Sequence, residues 1–380
     1  MDGPISADEA GETPAQTLLT QFERAGYRYV APAILQPADM VLDLAGEDMR
    51  RRIFLTTDAG GREWCLRPDL TIPVCRDHLA AGRGGGPVGY CYLGPVFRFR
   101  GEAPGEFLQA GIESLGRQDR EAADAEVLAL GCEAAGQFGI ARPEILIGDR
   151  SLFAALIEAL DLPPQWRRRL LKDFNRGGSL TDDLERIGSA QPSMPYAGVL
   201  AALAGQDPKA ARAVVTDLLS IAGITTVGGR SAGEIAERFL EQAALGATAA
   251  MPAAALGVIE QFLQISGDPD EAADALRTLA READIDLTPA IDAFEQRTGF
   301  FAAQGLEVSR MRFSTAFGRG LEYYSGFVFE LHDPDGAEPG PLVAGGRYDE
   351  LCTLLGSETK VAAVGLACWI DRLTKAGGLA

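Results

Sequence analysis

Histidine is nearly absent from this 380-residue chain, which holds only His78 and His332. Neither sits at metal-ligand spacing from a second ligand, and no serine elbow accompanies them, so zinc and Ser–His chemistry have almost nothing to build on. Cysteine is sparse as well. Cys65, Cys75, Cys91, Cys132, Cys352 and Cys368 form no C-x-x-C pair and lie mostly in apolar runs, the pattern of reduced core thiols. No uncharged apolar run approaches the ~18 residues that mark a membrane span. The opening M-D-G-P-I-S-A-D-E-A-G-E is acidic and lacks the basic and apolar regions of a secretory signal. The expectation is a cytoplasmic protein with no membrane contact, no metal and no cofactor. Positive charge is also short: 35 Lys and Arg stand against 54 Asp and Glu, a formal net charge of −19. Basic residues that displace phosphate counterions drive most nucleic-acid binding, so the overall field argues against it.

What is present is apolar and patterned. Hydrophobic residues make up 47 %, enough for a large core. Residues 17–22 open amphipathically, with Leu18 and Phe22 one helical turn apart. Strand-like runs at 52–57 and 62–66 flank Asp58-Ala59-Gly60-Gly61, a hairpin turn by composition. Residues 90–100 and 106–115 predict a second strand pair around a Gly/Pro-containing loop. Between 121 and 138, Ala123, Val127, Leu130, Ala134 and Phe138 form the apolar stripe of a helix. From 151 to 303 alanine- and leucine-rich helical segments dominate, broken at Gly177-Gly178, Gln191-Pro192 and Gly228-Gly229. Strand signals return at 310–314, 326–331 and 342–344. This order predicts an α+β domain built from 1–150 and 304–380, interrupted by a mainly helical insertion at 151–303.

Gln109, Gly111 and Glu113 are spaced two apart, so they share one strand face, and the glycine leaves room between two polar tips. Alone, such residues could decorate a solvated face. Five blocks in order favour a pocket instead. Residues 66–71 read L-R-P-D-L-T; 94–98 read G-P-V-F-R and lead to F-L-Q-A-G-I-E at 107–113; 319–330 read R-G-L-E-Y-Y-S-G-F-V-F-E; 345–349 read G-G-R-Y-D; 365–373 read G-L-A-C-W-I-D-R-L. Together they resemble the L-R-P-E-G-T, motif 2, R-G-L-D-Y-Y-T-G-x-V-F-E and motif 3 segments of the histidyl-tRNA synthetase family. The resemblance implies a class II aminoacyl-tRNA synthetase-like fold, an antiparallel sheet flanked by helices.

The same resemblance implies a histidine pocket. A histidine ligand needs acids for its ammonium, polar partners for its ring and a cation for its carboxylate. Asp69 stands where the family has a glutamate facing the amino group, with Thr71 beside it. Gln109 and Glu113 stand where the ammonium and ring are held, Tyr323 and Tyr324 near the imidazole, and Arg319 by the carboxylate. Gly345 and Gly346 would let backbone approach the ligand closely. Residues 32–37 resemble motif 1, which implies a dimer. On the ATP side Arg98 and Arg372 keep the family's α-phosphate and adenine positions. Arg100, however, replaces a glutamate, Trp369 replaces a glycine, and the loop 101–106 carries Glu102 and Glu106 without a cation. Trp369 could fill the nucleotide space or simply pack in the core.

After the last block the chain soon stops, where the family continues into an anticodon-binding domain, so none is expected here. A synthetase-like body of this kind resembles the ATP phosphoribosyltransferase regulatory subunits. That implies no catalytic residues of its own, no tRNA, and partnership with the short-form catalytic subunit in a hetero-octamer. It also implies a requirement for the catalytic subunit's activity, and feedback by histidine bound either in this pocket or at a subunit interface. Two other readings stay open: a truncated synthetase-like enzyme that forms histidyl-adenylate, and a free-standing histidine sensor.

Overall fold

The computed structural model describes residues 13–44, 47–82, 86–175, 251–318 and 323–379, with a few isolated positions between 180 and 231. Its strands, in chain order, are β1 (Arg28–Tyr29), β2 (Leu35–Pro37), β3 (Leu55–Thr57), β4 (Glu63–Leu66), β5 (Val88–Phe97), β6 (Glu106–Leu115), β7 (Glu144–Asp149), β8 (Thr226–Val227), β9 (Arg230–Ser231), β10 (Ser266–Gly267), β11 (Met311–Ser314), β12 (Phe327–His332), β13 (Val343–Arg347) and β14 (Ala363–Trp369). Nine of them make one sheet in the order β1-β5-β6-β14-β13-β12-β7-β11-β10. From β5 across to β7 all neighbours run antiparallel, as expected. Parallel pairs occur only toward the edges, at β1–β5 and β7–β11. Strands β2, β4 and β3 form a separate small sheet.

Both expected strand pairs are present. The β3–β4 turn closes because the Asp58 carboxylate accepts the N–H groups of Gly60 (2.9 Å) and Arg62 (3.0 Å), with Gly61 at φ +83°. The β5–β6 pair runs in unbroken register from Val88 opposite Leu115 to Phe97 opposite Glu106.

Alternation sorts the sheet into two faces. On the back, Phe327, Phe329 and Leu331 of β12, Leu366 and Cys368 of β14, and Ala110 and Ile112 of β6 join the larger apolar cluster. Helices Pro14–Arg24, Arg120–Gln137 and Thr288–Ala303 add Leu18, Phe22, Val127 and Phe301 to that cluster. Gly131 lets the middle helix sit close, since a Cβ there would stand 3.3 Å from Leu366 Cδ2. On the front, Tyr90 and Tyr92 of β5, Val328 of β12 and Ala344 of β13 form a second cluster with helix Thr71–Ala80.

Residues expected as an insertion attach at both ends to this body. Phe153, Phe262 and Phe294 belong to the back-face cluster, and β10 pairs with β11. Arg297, on helix Thr288–Ala303, is buried and donates to Asp124 (2.9 Å) and Asp149 (2.6 Å). Arg347 donates to Asp124 (2.7 and 2.9 Å) and to Asp349 (2.9 Å). The breaks expected at Gly177-Gly178, Gln191-Pro192 and Gly228-Gly229 lie outside the described residues. Among the described residues no helix is long and apolar enough to cross a membrane.

Candidate functional site

A cleft opens on the front face where the sheet carries its smallest side chains. Gly111 lies opposite Ala367, Glu113 opposite Gly365, and Gln109 opposite Trp369 across β6 and β14. Ala344 of β13 is next to Ala367. These small residues make a floor, ringed by larger ones that reach over it. The cleft holds about 410 Å³ of space including its open mouth.

One wall comes from the start of helix Thr71–Ala80, where Asp69 and Thr71 both line the cleft. The Asp69 carboxylate accepts the Ile72 N–H (3.1 Å), so it caps the first turn while facing the cavity. Burial pushes its pKa above the ordinary carboxylate range, partly offset by Arg98. The opposite wall is aromatic. Tyr323, Tyr324 and Tyr348 stand with ring centroids 5.0 to 6.4 Å apart. Gln109, 1 % exposed, lines the cleft, and its Oε1 has no hydrogen-bond partner. A buried acceptor without a donor is a standing cost that a ligand can remove.

Glu113 is placed differently from the sequence expectation. It is fully buried and does not line the cleft; its carboxylate lies under the floor against Gly365, where any Cβ would overlap it. Three hydroxyls close over it: Thr71 donates to Oε1 (2.7 Å), Tyr92 to Oε1 (3.1 Å) and Tyr348 to Oε2. Burial raises its pKa to about 8, against the pull of those donors.

The arginines around Phe107 and Trp369 are engaged by the protein itself. Arg100 pairs with Asp371 (3.2 Å) and lies 4.6 Å above the Phe107 ring. The Arg372 guanidinium sits 5.4 Å from the Trp369 ring centroid and donates to the Pro341 carbonyl (2.7 Å). Trp369 lines the cleft, and its indole is what Arg372 lies against. Arg98 also lines the cleft and donates to the Pro68 carbonyl (2.6 Å). Between β5 and β6 the chain turns tightly, with the Arg98 N–H donating to the Gly105 carbonyl (2.8 Å) and Glu102 and Glu106 exposed.

Comparison with known proteins shows the family and the fold. The histidyl-tRNA synthetase family model matches residues 6–223 and 214–373. ATP phosphoribosyltransferase regulatory subunits of Brucella anthropi and Brucella canis are 43 % and 42 % identical over 344 and 348 residues, covering 90 % and 91 % of this chain and 90 % and 92 % of theirs. The chain belongs to the ATP phosphoribosyltransferase regulatory subunits. A solved ATP phosphoribosyltransferase regulatory subunit/histidyl-tRNA synthetase from Bacillus halodurans shares the fold at TM-score 0.64 and 20 % identity, over 98 % of this chain and 84 % of that one. The histidyl-tRNA synthetase of a Nostoc species does so at TM-score 0.61 and 17 % identity, over 99 % and 75 %.

Of the residues expected to hold a ligand in this regulatory-subunit fold, Asp69, Thr71, Gln109, Tyr323 and Tyr324 come together around the cleft. Arg319 lies outside the described residues. Gly345 does not serve backbone approach to a ligand, because a Cβ there would strike the Phe329 ring and the neighbouring strand. Tyr92 and Tyr348 were not anticipated. Tyr92 was findable, since it sits opposite Gly111 on the same face; Tyr348 was marked only by its place in the G-G-R-Y-D block. Of the two histidines, His78 is buried with Nδ1 2.9 Å from the Tyr90 hydroxyl, and His332 ends β12 beside Glu330 (3.0 Å). Among the described residues no group of three His, Cys, Asp or Glu is arranged to hold a metal.

Proposed function

We propose that this protein is the non-catalytic subunit on which a short-form ATP phosphoribosyltransferase depends for activity, and through which histidine inhibits that enzyme in the cytoplasm. The observation that carries the reading is the contrast along the cleft. Gln109 Oε1 is buried without a partner in the lining that Asp69 and Thr71 share, while behind its cross-strand neighbour Trp369 the arginines are taken up, Arg100 by Asp371 and Arg372 by the indole. Adenylate chemistry needs free cations and fixed donors around a triphosphate. Here Arg98, Arg100 and Arg372 are each engaged within the protein, and the adjoining turn is acidic.

The ligand we assign to the cleft is histidine. Its ammonium would be held by Asp69 and Gln109 with Thr71, its ring would lie against Tyr323 and Tyr324, and Arg319 would serve its carboxylate. Inhibition then follows by linkage, provided the inhibited state of the complex binds histidine more tightly than the active one. Self-association is supported by exposed Tyr29, Ile34, Leu35, Leu55 and Phe99, which gather around β1 and the small sheet where the motif 1-like segment lies. A dimer on that face would be the core of the expected hetero-octamer.

The test mixes this protein with a short ATP phosphoribosyltransferase, follows phosphoribosyl-ATP formation with and without histidine, and sizes the mixture. Expected are a larger assembly, higher activity and inhibition by histidine. A catalytic subunit fully active alone, unchanged in activity and mass on mixing, overturns the reading. Histidine-dependent ATP–pyrophosphate exchange is expected to be absent; exchange at a working synthetase's rate would promote the adenylate-forming alternative.

A further inference from the structure

The side chains that β14 presents to the cleft grow along the strand. Gly365, Ala367 and Trp369 stand two apart on one face and all line the cavity. Over about 13 Å of strand the floor passes from no side chain, through one carbon, to an indole. Tyrosines stand at the glycine end. A Cβ on Gly346, directly opposite Gly365, would lie 3.0 Å from Tyr324 Cε1, and the Tyr348 hydroxyl reaches the Glu113 carboxylate that lies against Gly365. Ala344 and Ala367, paired across β13 and β14, make the middle. At the other end Trp369 lies across from Gln109, whose Oε1 is stranded. The indole is braced there. The Trp369 backbone N–H donates to the Leu342 carbonyl (2.9 Å), and the Arg372 guanidinium, tied to the Pro341 carbonyl, lies against the ring.

We propose that Trp369 is the end wall of the cleft and sets its specificity: the cleft admits a free α-amino acid and excludes any ligand whose carboxyl group carries a further residue. A histidine seated as assigned above has its ring against Tyr323 and Tyr324 and its ammonium at Asp69 and Gln109, which sets its α-carbon over the two alanines. Among the described lining residues the cation is Arg98, whose guanidinium lies 5.6 Å from the ring of Phe107, two residues before Gln109 on β6. Positive charge in the lining therefore lies toward the Trp369 end, and the ligand's carboxylate faces that way. A bare carboxylate has room in front of the indole. An amide- or ester-linked group beyond it meets the indole and has to displace a side chain that Arg372 holds in place, so exclusion comes from a built obstacle and not from a missing contact. The subunit would then respond to the free amino acid and ignore the same residue at the start of a peptide. This inference rests on the histidine-site reading above.

The experiment is titration calorimetry of the full chain with L-histidine, followed by its displacement with L-histidinamide and with L-histidyl-glycinamide. The two amides carry the same charges and differ only in length beyond the carboxyl carbon, so their ratio reads size alone. In wild type the longer amide is expected to bind at least about 30-fold more weakly than the shorter. Trp369→Ala should narrow that gap to about threefold, and Trp369→Phe should fall between, whereas a side chain that only fills the core would change both affinities together and leave the ratio alone. A wild-type series needs no variant: the N-methylamide of histidine, one carbon longer than histidinamide, should already lose most of the affinity. Two amides bound alike by wild type, or a ratio unmoved in Trp369→Ala, overturns the inference and leaves the histidine site standing. No binding of histidine to wild type overturns both.

Discussion

On the back of the sheet Asp124, Asp149 and Asp349 are buried against Arg297 and Arg347, with Arg120 reaching Asp349 at the rim (3.3 Å). On the front Glu113 is buried against hydroxyls and Asp69 against the Ile72 N–H, with Arg98 as the cation that lowers Asp69's pKa, and Gln109 keeps an unanswered oxygen. The back lattice is closed: acids and arginines match, and they tie two helices to the strand end from which Tyr348 departs. The front assembly is short of positive charge. Identical burial therefore has opposite meaning on the two faces. A matched network locates structure, and an unmatched one locates a place for a cationic ligand.

The largest test breaks the closed side. Asp124→Ala would strand two buried guanidiniums and is expected to cost about 3–5 kcal/mol in chemical denaturation, whereas removing an exposed acid such as Glu282 should cost little. A loss below about 1 kcal/mol would show that the lattice relaxes as easily as the front, and the contrast would fail.

How much of this was legible beforehand follows from the same contrast. Alternation correctly set Gln109, Gly111 and Glu113 on one face, and turn chemistry located the hairpin at Asp58. Depth was not legible. Period two names the face of Glu113 but not that Tyr92 of β5 and Tyr348, just past β13, would seal it under the floor. The back lattice was hidden for a related reason: Arg297 lies in a helix read only as part of an insertion, and its partner Asp124 is 173 residues away. The arginine cluster by Trp369 was half legible. Arg100 and Trp369 stood out as departures, but their contacts with Asp371 and Arg372 are tertiary facts.

A second test uses pH. Glu113 has a higher pKa in the folded chain, about 8, than an ordinary carboxylate near 4.5. Between those values the folded protein holds a proton that the unfolded chain has lost, so stability is expected to fall as pH rises through the window. The slope for one such group is at most about 1.4 kcal/mol per pH unit. Asp69, also raised by burial, acts in the same direction at the acid end. Denaturation midpoints of wild type and Glu113→Gln should converge near pH 5 and separate toward pH 8.5, with the variant the more stable. Parallel curves would mean that the front acid is compensated like those behind.

The smallest effect is the most specific. Gln109 Oε1 is buried with nothing to accept from, so folding removes its water and gives nothing back. Replacing the amide with Met keeps the length and removes the stranded oxygen. Stability should therefore stay level or rise by about 1 kcal/mol, while histidine affinity should fall about tenfold through the lost ammonium contact. Few substitutions are expected to push folding and binding in opposite directions, and a residue serving the fold alone would not. Calorimetric affinity and a urea midpoint, measured on the same preparation, decide it. If Gln109→Met destabilises the chain and leaves affinity unchanged, Gln109 is a structural group and the ammonium site must be sought elsewhere in the cleft.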